Sequence, residues 1–226
     1  MTSSSLARLK LSSLAFQTLI ASLLIGLSVT MALAGPNPKA NPADPEKVLK
    51  VAFPVPETGF DPVRVNDLYS NTITGVIFQP LLTYDWMAMP TRLVPNAAES
   101  MPVVSDDQTT FTFKVKKGLY FTPDDAFKGQ RRELTAQDFV YTLLRHADPK
   151  NRSPQVSDFD DKILGFAESR KKAVASGRFD YDQKHPGMYA TDRYTLVIKL
   201  IQPDRNFLTL LTNPFSGAMA REVVEK

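Results

Sequence analysis

Few residues in this sequence could do covalent chemistry. There is no cysteine, which removes thiolate nucleophiles, thiolate metal sites, disulfide frameworks and acylated-cysteine anchors together. Of the two histidines, His146 follows Arg145 at the end of an apolar helical pattern, where an imidazole complements the helix C-terminus. His185 sits in the loop Asp182–Gly187, and neither has the local partners that general-base work requires. The aspartate pairs 106–107, 124–125 and 160–161 have enough acid for calcium binding or acid–base couples. However, Asp158-Phe159-Asp160-Asp161 lacks the third ligand spacing and the glycine of a calcium loop, and turn-forming and helix-capping duties account for all three pairs. No G-x-S-x-G elbow, Walker A loop, G-x-G-x-x-G turn or H-E-x-x-H helix occurs. Phe60, Tyr69 and Trp86 fall in or near loops, where they could line a ligand cleft, whereas Phe111 and Phe113 read as core. The expectation is a protein that binds rather than catalyses, with no cofactor and no metal.

The elements that would position such a cleft follow from composition and patterning. The 226 residues are 43% apolar and 23% charged, the balance of a globular chain. Basic residues number 27 against 24 acidic. Arg8 and Lys10 precede the uncharged stretch Leu11–Ala34, which ends in Ala32-Leu33-Ala34, so residues 1–34 read as a signal peptide cleaved after Ala34. Without the leader the charges almost balance, and no footprint for nucleic acid remains. Residues 35–46 form a proline-rich arm. Val48–Phe53 then reads as a central strand, apolar on both faces. Asn66 or Asp67 caps a surface helix whose Tyr69, Ile73, Val76 and Ile77 share one face until Pro80. Alternating Phe111, Phe113 and Val115, with a Lys117-Gly118 turn before Leu119 and Phe121, predict a β-hairpin. Thr135-x-x-Asp138 resembles a capping box ahead of an amphipathic helix. Asp160–Ser176 reads as one helix closed by Gly177, with Arg170-Lys171-Lys172 as a solvated face. Tyr194–Leu200 reads as a strand, and Asp204 as the cap of a helix through Leu211. The mixture places the chain in the α/β (mixed α+β) class.

The order of these motifs carries a resemblance. Leu49–Phe53, Gly59-Phe60-Asp61-Pro62, Ile77–Asp85, Leu93–Ser100, Ser105–Gly118, Leu134–Leu143 and Ala190–Leu200 together closely resemble the bacterial extracellular solute-binding proteins of family 5, the oligopeptide, dipeptide and nickel receptors of ABC importers. The likeness covers nearly all of residues 47–226. It implies the N-terminal lobe of a two-lobed periplasmic-binding-protein-like fold with the second lobe absent, since family members are commonly more than twice as long. The leader and the lack of cysteine point to an exported periplasmic protein that is not a lipoprotein, and the resemblance further implies a peptide ligand and inner-membrane permease subunits as partners. It also implies a cleft edge at Glu57, Thr58, Gly59, Phe60 and Tyr69. There Gly59 would admit close backbone approach, Glu57 would meet a peptide amine, and Phe60 or Tyr69 would cover apolar side chains. The same scaffold carrying nickel complexes, haem or an opine, and an exported hydrolase, stay open as alternatives. A single lobe would bind ligand weakly and expose an uncovered edge and apolar patch.

Overall fold

In the computed structural model, residues 50–226 are described. Within the unit Phe53–Lys226 the chain runs α1 (Leu68–Ile77), β1 (Leu82–Asp85), β2 (Arg92–Pro95), β3 (Val103–Val104), β4 (Thr110–Lys114), α2 (Ala136–Ala147), α3 (Ser157–Asp160), α4 (Phe166–Ser176), β5 (Met188–Asp192), β6 (Thr195–Lys199), α5 (Phe207–Leu210) and α6 (Arg221–Val224). This is the mixed α/β class that the patterning implies. The expected leader 1–34, the arm 35–46 and the start of the first expected strand lie outside the described residues.

Alternation builds the main sheet, a four-stranded antiparallel array ordered β3-β4-β6-β5. In β4, Phe111 and Phe113 are buried while Thr110 and Thr112 are half-covered, as a period of two requires. Register places Phe111 opposite Ile198 and Phe113 opposite Leu196, so apolar side chains meet in cross-strand pairs. Strand β6 is buried from Thr195 through Ile198, because both of its faces are covered. A separate two-stranded ribbon pairs β1 with β2.

Helix α2 packs on β5 and β6 and buries every residue except Gln137. Its start is fixed locally. The Asp138 carboxylate accepts from the Thr135 backbone N–H at 2.7 Å and from the Thr135 hydroxyl at 2.9 Å, and Arg132 grips the same carboxylate with two N–H groups at 2.6 and 3.1 Å. Phe139, Leu143 and Ala147 enter the core beside Phe113, Phe159, Phe166 and Ile198. Each fully buried side chain of this size contributes roughly 1.5–3 kcal/mol through removal from water.

Several expectations are corrected. Residues 50–53 are not a strand, and among the described residues nothing pairs with them; apolar composition alone, without a partner for the backbone N–H and C=O groups, does not make a ladder. The predicted hairpin after β4 does not form either, because β3 and β6 already occupy both edges of β4. Gly118 does turn the chain, with φ 76°, but the segment beyond pairs with Arg132–Leu134 through Phe121 N–H to Arg132 O (2.9 Å) and Leu134 N–H to Leu119 O (2.8 Å). Glu133 secures that turn by accepting from Gly118 N–H (2.9 Å), the Tyr194 hydroxyl and Arg193. These bonds, Gly118's first, hold its carboxyl down at about 2.

The single helix expected over Asp160–Ser176 is two. Residues between α3 and α4 leave the helix to bond with the end of β6, by Leu164 N–H to Lys199 O (2.9 Å) and Ile201 N–H to Lys162 O (2.8 Å), and Gly165 restarts it from a left-handed φ of 77°. Gly187 passes so close to this bend that a Cβ there would lie 2.1 Å from Leu164 O. Gly177 closes α4 as expected, at φ 69°. The helix expected from Asp204 through Leu211 is the single turn α5, with Asn206 at its cap; the Asp204 carboxylate instead accepts from Asn206 N–H (2.8 Å) and pairs with Lys162.

Helix α1 starts where Asp67 accepts from Ser70 N–H (2.8 Å), but it faces the other way round from expectation. Ser70 and Thr74 are its buried residues, while Leu68, Val76 and Ile77 point outward. Small hydroxyl side chains let α1 approach the turn Pro214–Ser216 closely, and the Thr58 backbone N–H donates to Ser70 Oγ at 2.9 Å, so the inward polar atom has a partner.

Candidate functional site

The loop after residue 53 carries most of the residues singled out from sequence, and two side chains from elsewhere, those of Arg145 and Gln155, pin it. Asp61 meets Arg145 of α2 in a two-pronged contact, 2.9 Å to Nη1 and 2.7 Å to Nη2, with the arginine side chain only 5% exposed and the aspartate 31%. A guanidinium fork fits a carboxylate in this planar geometry. Gln155 Nε2 donates to Val65 O at 2.9 Å. Behind Gln155 runs a buried polar chain: His146 Nε2 meets Phe215 O at 2.9 Å, His146 Nδ1 meets Ser153 Oγ at 2.7 Å, and Ser153 Oγ accepts from Gln155 N–H at 3.2 Å. Burial pushes the His146 imidazole down to about 4, so the ring is neutral. The carbonyl at Nε2 then fixes the proton there, leaving Nδ1 to accept from the serine. Both ring nitrogens are spent on structure, which answers the question His146 posed.

The five expected ligand-contact residues fall into different settings. Thr58 is committed to the start of α1: its hydroxyl donates to Asp67 and contacts Ser70 Oγ at 3.2 Å. These bonds, Ser70's first and Thr58's after it, hold the Asp67 carboxyl well below the usual range. Tyr69 stacks on Phe53, centroids 4.8 Å apart and planes tilted 31°. Gly59 has no left-handed φ, and a Cβ there would sit 3.5 Å from Val65 Cγ1, an ordinary contact, so its backbone imposes no need for glycine. Glu57 is exposed. Phe60, 51% exposed, lines a groove of about 510 Å³ with Asp61, Arg64, Arg145, Tyr181 and Val223.

That groove shares Tyr141, Tyr181 and Glu225 with a larger one of about 950 Å³, whose walls also carry Arg132, Gln137, Tyr189 and Arg221. The two tyrosine rings lie 5.1 Å apart, and the Arg221 guanidinium covers both at 5.9 and 5.6 Å. Burial pushes the Tyr141 phenol up to about 12, and burial followed by the hydrogen bond to Asp148 (2.7 Å) pushes Tyr181 up as well. Both present neutral hydroxyls and apolar faces, the surfaces that accept varied organic ligands. Sequence reasoning missed Asp61, Arg145, Tyr141 and Tyr181, and no local spacing could have joined Asp61 to a residue 84 positions away.

His185 is buried, with Nδ1 accepting from Gly187 N–H at 3.2 Å. Two of the aspartate pairs do the turn and capping work expected of them, Asp107 accepting from Thr109 N–H and Asp124 from Ala126 N–H, whereas in the third Asp160 forms an ion pair with Arg170 of α4 instead. Among the described residues no group of three or more His, Asp or Glu is placed to hold a metal, and no helix is long and apolar enough to cross a membrane.

The model for bacterial extracellular solute-binding proteins, family 5 Middle, matches residues 92–224, more than half of the chain. The chain belongs to that family. Family 5 relatives include the periplasmic oligopeptide-binding protein OppA of Escherichia coli, 29% identical over 74% of this chain and 27% of its own length, and the dipeptide-binding protein of Lactococcus lactis, 27% identical over 90% of this chain and 34% of its own. Among solved structures, the pheromone receptor PrgZ superposes with a TM-score of 0.59 at 25% identity, covering 75% of this chain and 30% of that one. The murein tripeptide-binding protein MppA of E. coli superposes with a TM-score of 0.56 at 26% identity over the same shares. The chain thus spans about a quarter to a third of the length of these family 5 relatives. The family and these neighbours are solute-binding proteins rather than enzymes.

Proposed function

We propose that this chain supplies the N-terminal lobe of an exported receptor that captures peptides for an ABC importer, with the peptide and inner-membrane permease subunits as its partners. The observation that carries this reading is the agreement between the family 5 match over 92–224 and relatives whose names specify oligopeptides, dipeptides and a murein tripeptide. In the same reading residues 1–34 are a cleaved leader, and the mature protein works in the periplasm without a lipid anchor.

Glu57, Thr58, Gly59, Phe60 and Tyr69 form the proposed cleft edge, with two modes of action. Glu57 and Phe60, both exposed, would touch the ligand, the carboxylate meeting a peptide amine and the ring covering an apolar side chain. Thr58 and Tyr69, engaged with Asp67 and Phe53, would shape the loop that presents them. Gly59 fits the turn without contributing a contact of its own. A second reading, the same scaffold with a different cargo, is favoured by the relative named probable deoxycholate-binding periplasmic protein YgiS of E. coli, 28% identical over 84% of this chain.

Native mass spectrometry of ligand retained by the protein purified from the periplasm tests both readings. Co-purified peptides are expected. A bile acid, nickel chelate, haem or opine in their place would overturn the peptide reading and leave the receptor reading standing.

A further inference from the structure

Several arginines of this protein pair with carboxylates, and other exposed cations, such as Lys117, Lys128 and Arg205, form no ion pair among the described residues. Arg92, Arg132, Arg145, Arg170, Arg193 and Arg221 each contact a carboxylate within 3.0 Å. The surface beside α4 gathers several cations around grooves. Two grooves of about 490 and 450 Å³ have Ala173, Arg178 and Phe179 in common, so they adjoin. Lys172 and Lys184 stand on the first, Lys150 and Arg152 on the second, and Arg178 on both. Among the described residues none of these five forms an ion pair. The grooves contain two acids. Asp148 is occupied by the Tyr181 hydroxyl (2.7 Å) and Lys150 N–H (2.9 Å), and Asp180 accepts from Asp182 N–H (3.0 Å). The floor between the cations is apolar: Ala173 and Phe179 are buried, and Leu144 and Val174 extend it to either groove.

A solvated helix face would explain Lys171 and Lys172 alone. It does not explain cations from three separate segments around a shared apolar floor. Unpaired charges above low-dielectric walls focus a positive potential into the concavity, while the floor rewards an apolar side chain rather than a bare anion. We infer that this face docks an acidic segment of a partner protein, its carboxylates on the Lys150, Arg152, Lys172, Arg178 and Lys184 rim and an apolar side chain over Phe179 and Ala173. A flat anionic membrane would reach the rim and miss the floor, which favours a peptide segment. The inference stands apart from the cargo of the proposed cleft.

Fluorescence anisotropy with the full chain and a short labelled peptide alternating glutamate with leucine and phenylalanine tests it. Saturable binding is expected. It should weaken about tenfold or more in the triple variant K172E/R178E/K184E, because complementary charges become like charges, and it should also weaken as salt rises from about 50 to 300 mM. K117E/K128E/R205E, reversing the same number of exposed cations elsewhere, should leave binding within about twofold, since distant exposed charges are screened. A probe with serine replacing leucine and phenylalanine should bind more weakly than the original. Absence of binding, equal loss in both triple variants, equal affinity for the serine probe, or binding to phosphatidylglycerol vesicles in preference to the peptide would each overturn the inference.

Discussion

Helices α1 and α2 are similar in length, and an aspartate fixes the start of each: Asp67, the cap of α1, accepts from Ser70 N–H in the first turn, and Asp138, in the first turn of α2, accepts from the N–H of its cap Thr135. Their faces are opposite. Helix α2 buries Phe139, Val140, Leu143 and Leu144 and even its Arg145 and His146, whereas α1 buries Ser70 and Thr74 and turns Leu68, Val76 and Ile77 outward. A periodic apolar stripe shows where a helix would bury if a neighbour covered it. Which face is covered depends on what the rest of the chain brings there. For α2 that is the sheet whose Met188, Leu196 and Ile198 share its core with Phe111 and Phe113; for α1 it is the Thr58 amide and a close turn at Pro214–Ser216, which suit small hydroxyls.

The contrast can be broken by substitution. Phe139→Ala, at a site with no exposure, should cost about 3–5 kcal/mol in urea unfolding, the cost of a lost aromatic plus the cavity it leaves. Val76→Ala on the outward face of α1 is expected within about 0.5 kcal/mol of the parent, and a loss as large as that of Phe139→Ala would mean α1's outer stripe is covered. Next in size, Asp61→Ala strands the Arg145 charge, and a destabilisation of about 3 kcal/mol is expected, the low end for a broken buried pair because Asp61 keeps contact with water. Peptide affinity should fall with it, since the 54–67 loop loses its tether.

A pH series sharpens the same comparison, because α2 carries a buried imidazole. His146 ordinarily titrates at 6.5 and in the folded chain near 4. The unfolded chain therefore binds the proton first, and the stabilisation is complete above about pH 6.5 and lost as pH falls toward 4. The loss is on the order of 3 kcal/mol over that window. His146→Gln should flatten this part of the stability–pH curve, and an unchanged slope would remove His146 as its cause. A smaller loss is expected at the start of α1: Asp67→Ala removes the cap and one partner of Thr58, giving a modestly lower urea midpoint with an unchanged slope.

What the sequence made legible was local. The Thr135–Asp138 cap, the Asp67 cap, the Gly118 turn, the Gly177 stop and the strands around Phe111 and Leu196 depend on neighbours within a few residues, and each stands in the structure. What was illegible was pairing at a distance. Val115 and Leu119 flank a genuine turn, yet β4 had no free edge for a hairpin because β6, some eighty residues on, occupies it. The proposed cleft divides along the same line. Phe60 and Tyr69 are visible as loop-side aromatics, but the groove beside Phe60 exists because Arg145 reaches Asp61 and Gln155 reaches Val65 from 84 and 90 residues away, and no spacing rule spans that.

The outward face of α1 has a spectroscopic consequence. Trp86, the chain's sole tryptophan, is 84% exposed and shares a shallow depression with Val76, Ile77 and Phe78. Its indole, 6.2 Å from Tyr84, should emit at the red edge and yield readily to iodide or acrylamide quenching. Anything that settles over this stripe, whether a further segment of chain or another molecule, would shift that emission to the blue and shield it from the quencher, so one native fluorophore reports the covering of this face without a label.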